Sequence, residues 1–381
     1  EMLVIATGLL MLMYVINYGK VLDWTSSFKI RLYLVIAPIL IAFFIWKQYH
    51  SKQPYVNLVP LYQPKAIVGY LYCFSSFSKS SETKYVYIDA DDNIDSVYNK
   101  VQPIAKSIPM QAFRTLTLHS GYADHIRTGR YAIHPGDGAL KVWRHMKNGL
   151  QEPVNLTIPS VRTIDKLAVE LSKKLMLDST EIKKALTDEA VCEKMGYDTA
   201  TIACMFIPNT YQVYWHTPVE DFIQRMYKEY RKFWTEERLV KARKADLSPM
   251  DILILASIVE EETNNNAEKP MVAGLYINRL KENMPLQADP TIKFALQDFG
   301  LRRITNEHLK VNSPYNTYIN SGLPPGPIRI PSKKGLDSVL NYTKHNYIYM
   351  CAKEDFSGTH NFASNYADHM ANARKYWKAL N

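Results

Sequence analysis

The chain has 381 residues, 47% of them hydrophobic and 22% charged, which excludes a disordered chain and leaves room for two or three domains with full cores. Its 46 basic and 37 acidic residues give a net charge of +9. That balance suits an anionic partner, whether a membrane surface, a nucleic acid or an acidic polymer, without choosing among them.

Leu32 to Trp46 carries no charge and is flanked by Arg31 and Lys47, with Tyr33 and Trp46 at interfacial positions. As a helix it spans about 22 Å, short of a hydrocarbon core of about 30 Å, and snorkelling by the flanking cations covers part of the gap. No small-x-small cleavage site follows in "WKQYHS", so an uncleaved membrane anchor is expected rather than a signal peptide. Lys20, Lys29 and Arg31 precede the segment, which puts the long carboxyl side outside the cytoplasm. Leu3 to Tyr18 is a second apolar stretch within an amino-terminal segment, 1–31, whose status as a further span stays open. Residues 47–80 read as a linker.

Three segments then share one pattern, at Tyr85 ("YVYIDADDNIDSV"), Arg130 ("RYAIHPGDGALKV") and Asn155 ("NLTIPSVRTIDKL"). Each has a β-like run ending in Ile88, Ile133 or Ile158, a polar or Gly/Pro turn, then apolar residues at helical spacing: Ile94, Val97 and Val101; Ala139, Val142 and Met146; Ile164, Leu167 and Leu171. The expected unit is strand, turn, helix, with Asp92 or Asn93, Asp137 and Thr163 near the caps. These units resemble the LysM-like modules of cell-wall proteins, and LysM-like units are expected over 81–153. Any small unit of this kind needs the same spacing, so glycan contact does not follow from the pattern. Residues 165–245 read as mostly helical. Phe222, Met226 and Tyr230 form an apolar row, and the basic residues around them read as a solvated face rather than a nucleic-acid surface.

Ser248, Pro249 and Asp251 predict a helix start of the capping-box type. "ILILASIV" follows, apolar on every side, so the helix should be buried. It ends in Glu260, Glu261 and Glu262. Glu260 and Glu262 point about 200° apart and cannot both address one bond. Small Ala256 and Ser257 share the Glu260 face and leave room beside it. A carboxyl projecting into an apolar cleft stays protonated and can act as a general acid; equally, the triplet can mark where the helix emerges into water. No metal or cofactor is expected, because Cys73, Cys192, Cys204 and Cys351 lack CxxC spacing, and they are too sparse for a disulfide framework.

Downstream come "LYINRL", "LQADPTIKFAL", "SPYNTYINSGLPPGPI" and "HNFASNYADH". With "ASIVEEET" these segments, in this order from about Leu247 to the carboxyl end, resemble the endolytic murein transglycosylase family, the YceG-like proteins. The resemblance implies an α+β protein: a transmembrane anchor (32–46), small LysM-like strand-turn-helix units (81–153), then a mixed α+β YceG-like region (154–381) with its catalytic core over 247–381. It implies cleavage of peptidoglycan glycan strands within the chain, without a cofactor, at the membrane, with peptidoglycan synthases as possible partners and no nucleic acid. It assigns the catalytic carboxyl to Glu260, with Glu262 in support. Gln287, Asp289, Tyr315, Asn316, Thr317, Gly322, Pro324, Pro325, His360 and Phe362 match its cleft motifs and are expected at the substrate. Asn316 is favoured for sugar hydrogen bonding, Gly322 to Gly326 for a rigid turn lining the cleft, and Asp289 for capping the helix that begins at Pro290 rather than for electrostatic support. One departure stands out: Asn209 occupies the Asp position of the family's F-P-D-T-Y pattern and cannot carry its charge.

The implied chemistry needs one carboxyl where a hydrolase needs two. The glutamate protonates the leaving glycosidic oxygen, then takes the proton of the muramic acid's own 6-hydroxyl as it attacks the anomeric carbon, leaving a 1,6-anhydro end. The rival expectations are a muramidase that uses water and a non-catalytic wall-binding scaffold.

Overall fold

The computed structural model describes residues 2–18, 27–51 and 64–380. Lys20 and residues 52–63 of the expected linker lie outside them. The chain divides into two compact units, residues 1–127 with 131–150, and residues 128–130 with 151–381.

In the first unit, α1 (Met2–Tyr18) packs along α2 (Phe28–His50). Gly8 permits the approach: a Cβ there would stand 3.2 Å from Ile41 and 3.3 Å from Leu40. α2 has 23 residues, so it extends beyond Leu32–Trp46 at both ends and takes Lys29, Arg31 and Lys47 into the helix. Lys and Arg propagate a helix well, so charge does not end it. The helix is about 34 Å long, and the cations at its ends can snorkel to the interfaces on either side of the uncharged stretch. Its most apolar window has a mean hydropathy of 2.2 and is only 17% buried, unlike a core helix.

The rest of this unit comprises α3 (Pro64–Phe74), β1 (Lys84–Ile88), α4 (Ile94–Val101), α5 (Ser107–His119), a 3-10 turn (Tyr122–His125), β2 (Gly129–Ile133) and α6 (Ala139–Asn148). Part of the expected linker is therefore helix α3. The predicted apolar positions Ile88, Val97, Val101, Ile133, Ala139, Val142 and Met146 are all buried in one core. Asn93 caps α4, accepting the N–H groups of Asp95 and Ser96. Asp137 does not cap α6; it closes the preceding turn by accepting the His134 N–H at 2.9 Å, and pairs with Lys141.

The second unit begins with β3 (Val154–Thr157), α7 (Ile164–Ser172), α8 (Ser179–Thr187), α9 (Glu189–Lys194) and β4 (Thr210–Val213). Strand-turn-helix local structure recurs at all three predicted places, but the three are not equal modules. β1 pairs with β2, while β3 recruits β4 in an antiparallel pair. A strand needs a partner for its backbone groups, and β3 finds its partner in β4, outside the repeat. The third repeat thus buries Ile158, Leu167 and Leu171 in a different core from the first two. A LysM-like identity is not carried by these elements.

α10 (Val219–Phe233) and α11 (Glu236–Lys244) lead to the apolar helix α12 (Pro249–Glu262). Its capping box is complete: Ser248 accepts the Asp251 N–H and Asp251 accepts the Ser248 N–H. Ile252 to Val259 are all buried. α13 (Lys269–Lys281), α14 (Asp289–Leu296) and α15 (Lys333–Leu340) pack around it, and the strands β5 (Tyr349–Ala352) and β6 (His360–Ala363) precede α16 (Tyr366–Leu380). One continuous core joins Val154 to Leu340.

Candidate active site

The three glutamates at the end of α12 meet three different environments. Glu260 turns inward to the first turn of α15. Its Oε2 accepts the Ser332 hydroxyl at 2.9 Å and stands 3.1 Å from the buried Lys269 ammonium. Gly335 makes the fit possible, because a Cβ there would lie 2.3 Å from that oxygen. The space expected beside Ala256 and Ser257 is filled: the Ser257 hydroxyl accepts the Ile328 N–H at 3.0 Å. Glu260 borders neither of the two cavities that meet Glu262. Glu261 accepts a two-pronged pair from Arg162 at 2.7 and 2.9 Å and a further bond from Arg329 at 2.9 Å. That geometry fastens the start of α7 to the end of α12.

Glu262 borders cavities that Glu260 does not. It borders two cavities, of about 360 and about 680 Å³, and Asp289 borders both with it. Tyr276, one helical face of α13, donates its hydroxyl to Glu262 Oε1 at 2.7 Å. Burial pushes the Glu262 carboxyl up to about 7; the Tyr276 hydrogen bond opposes this, Asp289 adds to it, and Arg279 opposes it. Arg279 lies a turn beyond Tyr276 and is spent on architecture, donating to the carbonyls of Ile348, Pro285 and Leu286. It thereby ties the strand region and the loop before α14 to the wall of the cleft.

Asp289 does not cap α14. The cap position is Ala288, and Asp289 sits in the first turn with its Oδ1 accepting the Tyr318 hydroxyl at 2.6 Å. The first cavity is completed by residues including Gln287, Tyr349, His360 and His369. His360 is held by Glu268, which accepts both its backbone N–H at 2.7 Å and its ring Nδ1 at 3.0 Å. Glu268 also accepts the Thr263 hydroxyl, so the end of α12 and β6 share one buried carboxylate. His369 stacks on Tyr349, and burial, helped by Arg279, lowers its pKa.

The YceG-like family matches residues 86–375, most of the chain and all of this cleft's first cavity. The chain belongs to the YceG-like family. An endolytic murein transglycosylase of Bacillus subtilis (strain 168) is 34% identical over 165 residues, covering 43% of this chain and 45% of that protein. One of Streptococcus pneumoniae (serotype 2, strain D39) is 25% identical over 347 residues, covering 81% of this chain and 62% of that protein. The YceG-like chain thus spans less than two thirds of either relative. The crystal structure of a yceG-like protein from Listeria monocytogenes superposes with a TM-score of 0.51 at 25% identity, over 77% of this chain and 99% of that one.

Within this YceG-like protein the expected site residues separate. Glu262, Gln287, Asp289 and His360 come together in the cleft. Asn316, favoured for sugar binding, is fully buried; it donates to the carbonyls of Leu309 and Val311 and accepts the Tyr318 N–H, so it shapes the loop that delivers Tyr318. Thr317 is also buried, accepting the Ala288 N–H and bonding Thr291. Tyr315 stacks on Phe294 and lines a separate cavity near Arg162. Gly322, Pro324 and Pro325 do not line the Glu262 cavities; Gly326 packs against the Ala200 carbonyl, where a Cβ would come within 2.2 Å. Phe362 packs against His345 and Tyr347 behind the wall. Asn209 has an exposed side chain, and its carbonyl accepts the Ile158 N–H at the end of the β3–β4 pair. Tyr276, Arg279, Tyr318 and Tyr349 carry roles that sequence reading did not assign. The "LYINRL" motif held two of them, Tyr276 and Arg279, on one face.

Proposed function

We propose that this protein is a lytic transglycosylase that cuts peptidoglycan glycan strands internally, leaving 1,6-anhydro-N-acetylmuramic acid ends, with Glu262 rather than Glu260 as the acid and then the base. One observation carries the reading: Glu262 borders both cavities beside Asp289, and its pKa of about 7 lets it hold a proton and release it near neutrality. Glu260 already has one carboxyl oxygen engaged by Ser332 and Lys269 and borders neither of the cavities that meet Glu262. The names of the Bacillus and Streptococcus relatives agree with the substrate. Cavities adjoining Glu262 on more than one side suit a polymer that continues past the cut.

In the forward step Glu262 gives its proton to the leaving oxygen. The carboxylate so formed, steadied by the Tyr276 hydroxyl, takes the proton of the 6-hydroxyl as that oxygen closes on the anomeric carbon. Asp289, oriented by Tyr318, stabilises the positive charge that develops on the ring. Holding the nucleophile within the substrate removes much of the entropic barrier. α2 anchors the enzyme at the membrane with the cleft on the extracytoplasmic side, where it ends the growth of new strands.

A second reading draws on Asp289 itself. A second carboxyl beside the acid is what a hydrolase requires, so a water-using muramidase is the rival. Mass spectrometry of fragments from purified strands separates the two, since hydrolysis leaves reducing ends. Glu262→Gln should lower release of anhydro ends by roughly 10²- to 10⁴-fold with an unchanged melting temperature. Near wild-type release from a folded Glu262→Gln protein would sink the assignment.

A further inference from the structure

The larger cavity beside Glu262 has a lining that the bond-breaking step does not use. Lys293 of α14 and Arg302 and Arg303 of the following loop line it, together with Tyr376 and Trp377 of α16. Arg302, Arg303 and Trp377 are exposed. None of the three cations is ion-paired to a described residue, whereas Arg162 and Arg329 nearby in the sequence of cavities are both committed to Glu261. Exposed aromatic faces suit sugar rings, and uncommitted guanidinium groups suit carboxylates. Glucosaminyl units of a glycan strand are neutral. Muramoyl units carry an anion, the lactyl carboxylate when bare or the carboxylates of the stem peptide when substituted.

We infer that this cavity is a subsite for the anionic substituent of a muramoyl residue, held by Lys293, Arg302 and Arg303 while the sugar rests on Tyr376 and Trp377. The inference rests on the transglycosylase reading of the Glu262 cleft and adds to it which part of the substrate sets the register. The cavity volume of about 680 Å³ falls in the range of sites that enclose a small ligand. Glu261, Glu262 and Asp289 border the same cavity; Glu261 is neutralised by Arg162 and Arg329, while Asp289 repels an anion, so the carboxylate is steered to Lys293, Arg302 and Arg303 and the uncharged ring to the reacting carboxyl.

The test separates binding from turnover. Calorimetry on the full chain carrying Glu262→Gln measures affinity for three probes: peptide-bearing strands, amidase-stripped strands that keep the lactyl carboxylate, and a neutral chitin oligosaccharide. Adding Arg302→Ala and Arg303→Ala should weaken binding of at least one anionic probe about tenfold, the loss of one charge-assisted contact. Whichever anionic probe is affected identifies the source of the carboxylate. The neutral probe should bind as before, and Arg302→Lys with Arg303→Lys should restore most of the affinity. Equal affinity of the anionic probes for both proteins, or an equal loss with the neutral one, overturns the inference. Release of anhydro ends by the wild-type chain is scored separately, so failure of the transglycosylase reading is seen on its own.

Discussion

Glu260 and Glu262, a half-turn apart on one helix, meet different surroundings. Glu260 and Lys269 form a pair whose side chains are 13% and 4% exposed. Removing one partner of such a pair leaves an uncompensated buried charge and costs about 3–5 kcal/mol. Glu260→Gln should therefore lower the melting temperature by several degrees yet keep anhydro-end release when assayed well below it. Loss of turnover in a folded Glu260→Gln protein would return the catalytic role to that residue. Glu262 behaves in the reverse sense. In the proposed reaction its protonated form acts first, so kcat/KM should fall as pH rises through about 7. Tyr276→Phe removes a hydrogen bond that lowers the Glu262 pKa, so the falling limb should move to higher pH. The linkage has a definite sign. A carboxyl whose folded pKa is raised contributes stability below its unfolded value near 4.3, and that contribution is lost as pH rises to about 7.

At the scale of elements, the cleft depends on close contacts between helices. α15 meets the end of α12 through Gly335, and α13 meets the chain at Thr343 through Gly274, where a Cβ would come within 2.3 Å of a carbonyl oxygen. Gly335→Ala forces the Glu260 carboxylate away from Ser332 and Lys269. It should cost about 1–3 kcal/mol by denaturant unfolding. In a Glu260→Ala background most of that penalty should vanish, and a cycle without such coupling would refute the packing account. The loops after α13 work in the same way. Asn316 and Thr317 spend their polar atoms inside the protein, and that expenditure delivers Tyr318 to Asp289.

At the scale of the whole molecule, α2 and the site unit answer different solvents. Leu34, Val35, Ile39, Phe43 and Trp46 are exposed apolar side chains along one helix, which is favourable in lipid and not in water. With Lys20, Lys29 and Arg31 ahead of the apolar stretch, the carboxyl side should lie outside the cytoplasm. α1 does not alter that expectation, because a second span would leave the same basic segment on the cytoplasmic side. A reporter active only outside the cytoplasm, fused at the carboxyl end, should give signal; activity of a cytoplasmic reporter there would reverse the topology and remove the substrate from reach.

Local pattern determined much of this protein. The apolar spacing named the residues that fill both cores, and Ser248, Pro249 and Asp251 marked the start of α12 because caps depend on a few adjacent residues. The ordered motifs were enough to point to the YceG-like family. Tertiary structure alone decided how the strands of the repeat pair, since a strand takes whichever partner the fold supplies. It also decided which groups surround each glutamate. A carboxyl's role is set by the groups around it, and Ser332 and Lys269 for Glu260, or Tyr276 and Asp289 for Glu262, reach α12 from other helices and loops. Spacing along α12 showed that Glu260 and Glu262 point apart; only the packing of α13, α14 and α15 against it determined which partners each carboxyl meets.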